Sequence, residues 1–202
     1  MFTAIVLSAN PVRLNLSGVS VLPSIQLLKD PAGLHTARLD SIVRVTTPYC
    51  FFLDDDDDLP VDYLSVLQEC AEAMDRKKVP MAYTDELLIE PGQEPVRRCW
   101  YDYNSERHAY SPMGVHHLAL MATKRAKAVA TALPRGEYWT EHMLYWALGR
   151  EGAVYVPRVG YHWRRRANGF SRNPRTLTAQ MMSRRWIKLQ QMGHETEQGG
   201  KP

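Results

Sequence analysis

Five consecutive aspartates, Asp54 to Asp58, follow directly on the apolar run Tyr49-Cys50-Phe51-Phe52-Leu53, and Leu59-Pro60 closes them off. Adjacent carboxylates repel one another, and a run of them is usual in a solvated tail rather than against a strand that reads as buried. A divalent cation would relieve the repulsion. Carboxylates at the carboxyl end of a strand in an α/β fold also face the crevice where ligands gather, so a cation there could meet a phosphate. Two competing readings stay open: an acidic turn that ends the strand, and carboxylates at the favourable amino end of a helix over residues 61–74.

The second chemical signal is basic. Residues 158–188 hold eight arginines and one lysine and no Asp or Glu, within a net charge of +3. Such a stretch attracts polyanions, whether nucleic acid, anionic head groups or the diphosphate of a nucleotide. It could also be a solvated helix face whose arginine stems cover apolar surface. Tyr161, Trp163, Phe170 and Trp186 are interleaved with it and could stack on exposed bases. Cys50, Cys70 and Cys99 are odd in number and lack Cys-x-x-Cys spacing, which reads as core thiols rather than a disulfide or zinc framework.

These groups need a scaffold. The 202 residues, 45% hydrophobic and 23% charged, suit one sizeable soluble α/β domain. No apolar run nears the ~20 residues of a membrane span, and the β-branched start without a basic leader reads as a first strand in a cytoplasmic protein. Strands are predicted at 3–9, 24–28, 49–53, 80–84 and 153–156, and helices at 34–45, 61–74, 124–131, 140–149 and 177–192. Thr140 is placed to cap the fourth helix, 97–113 reads as irregular or short strands, and 164–174 as a basic loop. The alternation predicts a mostly parallel sheet flanked by helices in a single compact domain over 1–175. A basic amphipathic helix over 176–194 and a disordered tail over 195–202 follow it.

Leu34-His35-Thr36-Ala37-Arg38, followed by Tyr49-Cys50-Phe51-Phe52-Leu53-Asp54-Asp55-Asp56-Asp57, resembles the core of family-two glycosyltransferases, which have the Rossmann-like GT-A fold. Trp139-Thr140-Glu141-His142-Met143-Leu144-Tyr145-Trp146 is similar to the acidic segment that starts a later helix of that family. Val156-Pro157 with Tyr161-His162-Trp163-Arg164 and Ser171 is similar to its closing strand, aromatic-Arg pair and serine. The chain departs from the pattern between Ala9 and Val19, where only nine residues replace a longer helix, and at Arg164-Arg165-Arg166, where many relatives carry a histidine.

The resemblance implies a sugar nucleotide as donor, held through Mn2+ or Mg2+, and inverting transfer of the sugar to an acceptor hydroxyl. Asp56 would be the direct metal ligand, Asp54 would face the ribose or a metal-bound water, and Asp57 is a further candidate ligand. Asp55 and Asp58 would supply supporting charge at the donor site, Arg38 would lie near the nucleotide, and Arg164 or Arg166 would grip the diphosphate in bidentate fashion. Glu141 is the first candidate for the base; His142 stands where the family's second acid would be, and imidazole can share or take that role. His116 and His117, taken as strand neighbours facing opposite sides, are expected as core or acceptor-site histidines rather than joint ligands of one metal.

The basic, aromatic run 158–188 points to DNA as acceptor, with the design of phage enzymes that glycosylate hydroxymethylated pyrimidines. A bacterial surface polysaccharide or lipid-linked sugar is the rival acceptor, with the basic segment against an anionic membrane. A catalytically silent nucleic-acid-binding protein on a degenerate transferase fold is the reading from another class.

Overall fold

A computed structural model describes residues 1–8, 16–25, 31–112, 115–165 and 174–198. Strands β1 (Phe2–Ser8) and β2 (Val19–Ile25) are parallel and adjacent. Helix α1 (Pro31–Arg44) then crosses back, and β3 (Tyr49–Asp54) pairs parallel with the other edge of β1. Pro31 suits a first helical position because its missing N–H would be unpaired there anyway. Helix α2 (Tyr63–Lys77) leads to β4 (Met81–Ile89), followed by β5 (Val96–Arg98), α3 (Ser105–Tyr110), β6 (Ala119–Ala122) and α4 (Thr123–Ala132). Helix α5 (Thr140–Gly149), strand β7 (Ala153–Arg164) and helix α6 (Pro174–Gln198) complete the chain.

The sheet runs β2-β1-β3-β6-β4-β5, with β7 on β4. The α/β expectation holds, and the sheet is mixed. β6 lies antiparallel to both β3 and β4, which leaves β3, β4 and β7 pointing the same way and their carboxyl ends on one edge. One core layer joins α2 to the sheet through Val66, Leu67, Cys70, Phe51 and Leu53, and the other packs α1, α4 and α5 through Leu39, Ile42, Ala126, Leu144 and Phe52. β3 is buried at its four central residues, as expected of an apolar run covered on both faces.

Several expectations are corrected. The second strand starts at Val19 and runs to Ile25 with Pro23 inside it, earlier than the predicted start at 24, and 26–28 lie outside the described residues. Val61 lies outside α2 and is fully exposed, because a turn closed by Tyr63 N–H on Pro60 C=O precedes the helix. β4 continues past the predicted end at 84, through Asp85 and Glu86 to Ile89. β7 continues past Pro157 to Arg164, since the register on β4 slips there and a bulge tolerates proline. α3 arises within the stretch read as irregular, capped by Asn104, whose side chain accepts the Arg107 N–H at 2.7 Å. α6 runs on through Gln198, four residues into the predicted tail, where no proline interrupts it. Cys50 and Cys70 are core thiols, but Cys99 is exposed. Among the described residues no helix is long and apolar enough to cross a membrane.

Candidate active site

β3 delivers Asp54 to the carboxyl edge of the sheet, and a turn follows in which Asp57 N–H donates to Asp54 C=O at 3.2 Å. α1 presents Arg38 to the same edge. Its guanidinium is buried over the ring of Phe52, 5.2 Å from the centroid, and bonds Asp54 Oδ1 at 2.8 Å with one nitrogen and Glu141 Oε1 with another. One cation thus ties the end of β3 to the first turn of α5. Thr140 does not cap that helix: its hydroxyl pairs with His35 Nδ1 at 2.8 Å, and the capping position falls to Trp139.

β7 supplies the second wall. Its register on β4 shifts between Thr84 and Glu86, so that Glu86 lies opposite Tyr161. Bulges re-aim side chains in this way beside functional sites. Gly160 permits the close approach, since a Cβ there would collide with Thr84 Oγ1 and Leu118 Cδ2. Tyr161 O–H donates to Asp57 Oδ2 at 2.9 Å and accepts the Asp54 N–H at 3.1 Å, while Arg164 N–H donates to Asp57 Oδ1 at 2.7 Å. Asp57 is 6% exposed. Burial, then the Asp54 charge, push its carboxyl up to about 7 against the pull of the Arg164 N–H, His117 and Tyr161. A carboxylate so placed would be favoured in its ionised form by a bound cation.

Behind these groups Glu86 is fully buried in β4, with Arg98 Nη1 at 3.0 Å from Oε1. His117 Nδ1 at 2.8 Å and His116 Nδ1 at 3.2 Å both reach Oε2. Burial alone would raise the Glu86 pKa, but the hydrogen bonds and charge of the two histidines outweigh it and hold the carboxyl well below the usual range. His116 is lowered to about 4 by burial and by the charge of His117. The expectation that these neighbours point apart is overturned, because they lie in a bend before β6 rather than on a strand. Leu118 sits there at φ 36°, a left-handed conformation costly for a residue with a Cβ, held by its burial and by Thr84 N–H donating to its C=O.

The ligand atoms of Asp54, Asp57 and His117 lie within 4.8 Å of one another, as do those of Glu86, His116 and His117. The first set, two carboxylates and an imidazole, fits a divalent cation such as Mn2+ or Mg2+. Asp56, expected as the direct ligand, is not one of the three. Asp55 accepts the Ser8 hydroxyl at 2.7 Å, and Asp58 pairs with the Arg164 guanidinium. Arg164 therefore spends its charge on an aspartate. Arg166 and Ser171 lie outside the described residues. His142 is not brought to the site: it is fully buried, its Nε2 is 2.7 Å from the His108 carbonyl, and burial lowers its pKa to about 4. Glu141 and His142 are successive helical residues, so only one of them can face Arg38.

Sequence reading missed Asp85 and Glu86. Asp85, fully buried, accepts Tyr155 O–H at 2.5 Å, Arg97 Nε at 3.0 Å and the Trp100 N–H at 3.1 Å, and so anchors the segment after β5. The available signal was an acid pair inside an otherwise apolar run, Met81-Ala82-Tyr83-Thr84-Asp85-Glu86-Leu87-Leu88-Ile89, with Arg97-Arg98 following.

No protein-family profile matches the chain, and no curated protein matches it in sequence. Solved structures do match in fold. S. aureus TarS 1–349 in complex with UDP-GlcNAc aligns with a TM-score of 0.58 at 11% identity, over 85% of this chain and 61% of that one. TarS 1–349 alone gives 0.54 at 10% identity, over 81% and 60%, and its complex with UDP gives 0.50 at 11%, over 73% and 44%. The chain thus spans no more than about three fifths of TarS 1–349. What is shared at these identities is a GT-A-like glycosyltransferase fold.

Proposed function

We propose that the chain is a metal-dependent, inverting glycosyltransferase that moves a sugar from a sugar nucleotide to an acceptor hydroxyl. The observation that supports it best is the convergence of Asp54, Asp57, Arg38 and Glu141 at the carboxyl edge of the sheet. TarS, which shares the fold, is described with UDP-GlcNAc and with UDP, and a uridine diphosphate sugar is the donor to try first.

Asp54 and Asp57 would hold the cation together with the donor atoms beside them. When bound, it would supply Lewis-acid stabilisation of the charge that develops on the departing diphosphate. Arg38 orients Asp54 and at the same time fixes Glu141. Only Oε1 of Glu141 takes up Arg38; Oε2 is buried without a hydrogen-bond partner in the structure, beside a small cavity lined by His35, Tyr138 and Trp139. That oxygen is the one we assign to the acceptor proton. As the acceptor oxygen attacks the anomeric carbon, its proton passes to Glu141 and the bond to the diphosphate breaks. His142, locked on the His108 carbonyl, takes no part in this reading.

The test is a thermal-shift titration with UDP-GlcNAc and related sugar nucleotides, with and without manganese. A ligand that binds only the folded chain raises Tm in proportion to the logarithm of its concentration over Kd. Manganese is expected to enlarge the shift, and D57N to abolish the manganese-dependent part. An equal shift in D57N removes Asp57 from the site; no shift with any sugar nucleotide sinks the transferase reading. DNA as acceptor is a second proposal, supported by the exposed Arg184, Arg185 and Lys188 of α6.

A further inference from the structure

We propose that His117 is a nitrogen ligand of the divalent cation, oriented for it by the buried carboxylate of Glu86, and that this imidazole makes manganese the preferred ion. The inference rests on the cation reading of the site above. It concerns a histidine that the aspartate motif does not contain.

The buried Glu86 carboxylate has Arg98 Nη1 at 3.0 Å from one oxygen and His117 Nδ1 at 2.8 Å from the other. The shared hydrogen therefore sits on Nδ1, and the lone pair of Nε2 is left for a ligand. A metal-binding histidine almost always hands its second N–H to a carboxylate or carbonyl in this way, which sets the tautomer and strengthens the ligating nitrogen. The ring plane is held as well: His117 lies flat on Tyr161, with centroids 4.5 Å apart and planes 8° from parallel. The hydroxyl of the same tyrosine contacts Asp57 and the backbone of Asp54. One side chain thus positions all three donors, whose ligand atoms already lie within 4.8 Å of one another.

The alternative set, Glu86 with His116 and His117, suits a cation less well. It would place the ion next to Arg98, whose Nη1 is 3.0 Å from Glu86. His116 instead shares the Glu86 oxygen and packs edge-on against Trp163 at 5.0 Å, as a wall behind the centre. Two carboxylates and one imidazole leave part of the coordination sphere open for diphosphate oxygens. The nitrogen donor favours manganese over magnesium, which prefers an all-oxygen set.

The experiment is a titration of the full chain with Mn2+ alone, followed by electron paramagnetic resonance. Loss of the free-ion signal gives Kd, and pulsed spectra detect a coupled 14N nucleus. We expect one bound Mn2+ with a 14N coupling that survives in H116F and disappears in H117F. Affinity should fall at least ten-fold in H117F and about ten- to hundred-fold in E86Q. Magnesium should compete only in large excess. Bound Mn2+ without nitrogen coupling in the unmodified chain overturns the assignment, whatever the variants do, as does an H117F affinity within two-fold of the original. UDP binding measured on the same samples separates the two readings. Manganese-dependent UDP binding without nitrogen coupling removes His117 and leaves the transferase; nitrogen-coupled manganese without UDP binding keeps His117 and removes the donor.

Discussion

Arg38 is the residue on which the site is assembled. It is 6% exposed and faces two acids, Asp54 sixteen residues away and Glu141 more than a hundred away, so its charge is compensated only in the folded chain. Removing one partner of such a buried group leaves the others uncompensated, and Arg38 is therefore a poor position for testing chemistry apart from folding. Glu141 offers the cleaner test. E141Q keeps the shape and an oxygen for Arg38 but loses the capacity to take a proton. We expect donor KM to change by less than about three-fold and kcat to fall by about 10²- to 10⁴-fold, the range over which general bases act. Steady-state transfer assays decide it, and full kcat in E141Q would move the base elsewhere. The aspartates and Glu141 were legible as candidates because charge next to an apolar strand or helix start is visible in one dimension. The partners that choose among them, Tyr161 for Asp57 and Arg38 for Glu141, were not.

At the level of elements, α5 has two unlike faces: Glu141 looks to Arg38 at the carboxyl edge of the sheet, while His142 looks into the contact with α3 and meets His108 with ring centroids 5.4 Å apart. Burial lowers both pKa values, to about 3 for His108 and about 4 for His142. In the unfolded chain each titrates near 6.5. Below that pH the unfolded chain takes up protons that the folded one declines, so stability falls as pH falls; above it both states are neutral and nothing is gained. Between pH 7.5 and pH 5 the loss is about 2 kcal/mol for each of these histidines. His35, also lowered by burial, adds in the same direction. Urea unfolding at the two pH values should show the drop, and H142Q should reduce it; equal midpoints at pH 7.5 and 5 would refute the account. Element identity in this region was readable from helical spacing. The continuations of β4 and β7 were not, because buried acids and a proline end a strand in sequence but not in a sheet that supplies arginines and a bulge.

For the whole molecule, the basic run is less available than its composition implies. Arg158 pairs with Asp62 at 2.7 Å and Glu69 at 2.9 Å, Arg164 with Asp58, Arg165 with Glu90 at 3.5 Å, and Arg175 with Glu137 at 3.2 Å. Among the described residues this leaves Arg184, Arg185 and Lys188, which are exposed on α6 beside Leu177, Met181, Leu189 and Met192. A duplex held by three cations has a slope of log K against log salt of about −3. We expect fluorescence anisotropy between 50 and 200 mM salt to give a slope no steeper than that, with charge reversal at Arg184 and Arg185 removing most of the binding; a slope near −8 would mean that the full run engages phosphate. By itself the sequence determined the α/β class, the strand that carries the aspartates, and the helix that carries Glu141, since these follow from local periodicity and from charges set against apolar runs. Only the tertiary structure decided that Asp57 rather than Asp56 turns inward, that His117 joins it, that His142 faces away, and that the acids of α2 and the aspartate turn neutralise the arginines of β7. Each of those outcomes depends on which side chains meet across strands and helices distant in the chain, and neither spacing nor composition encodes that.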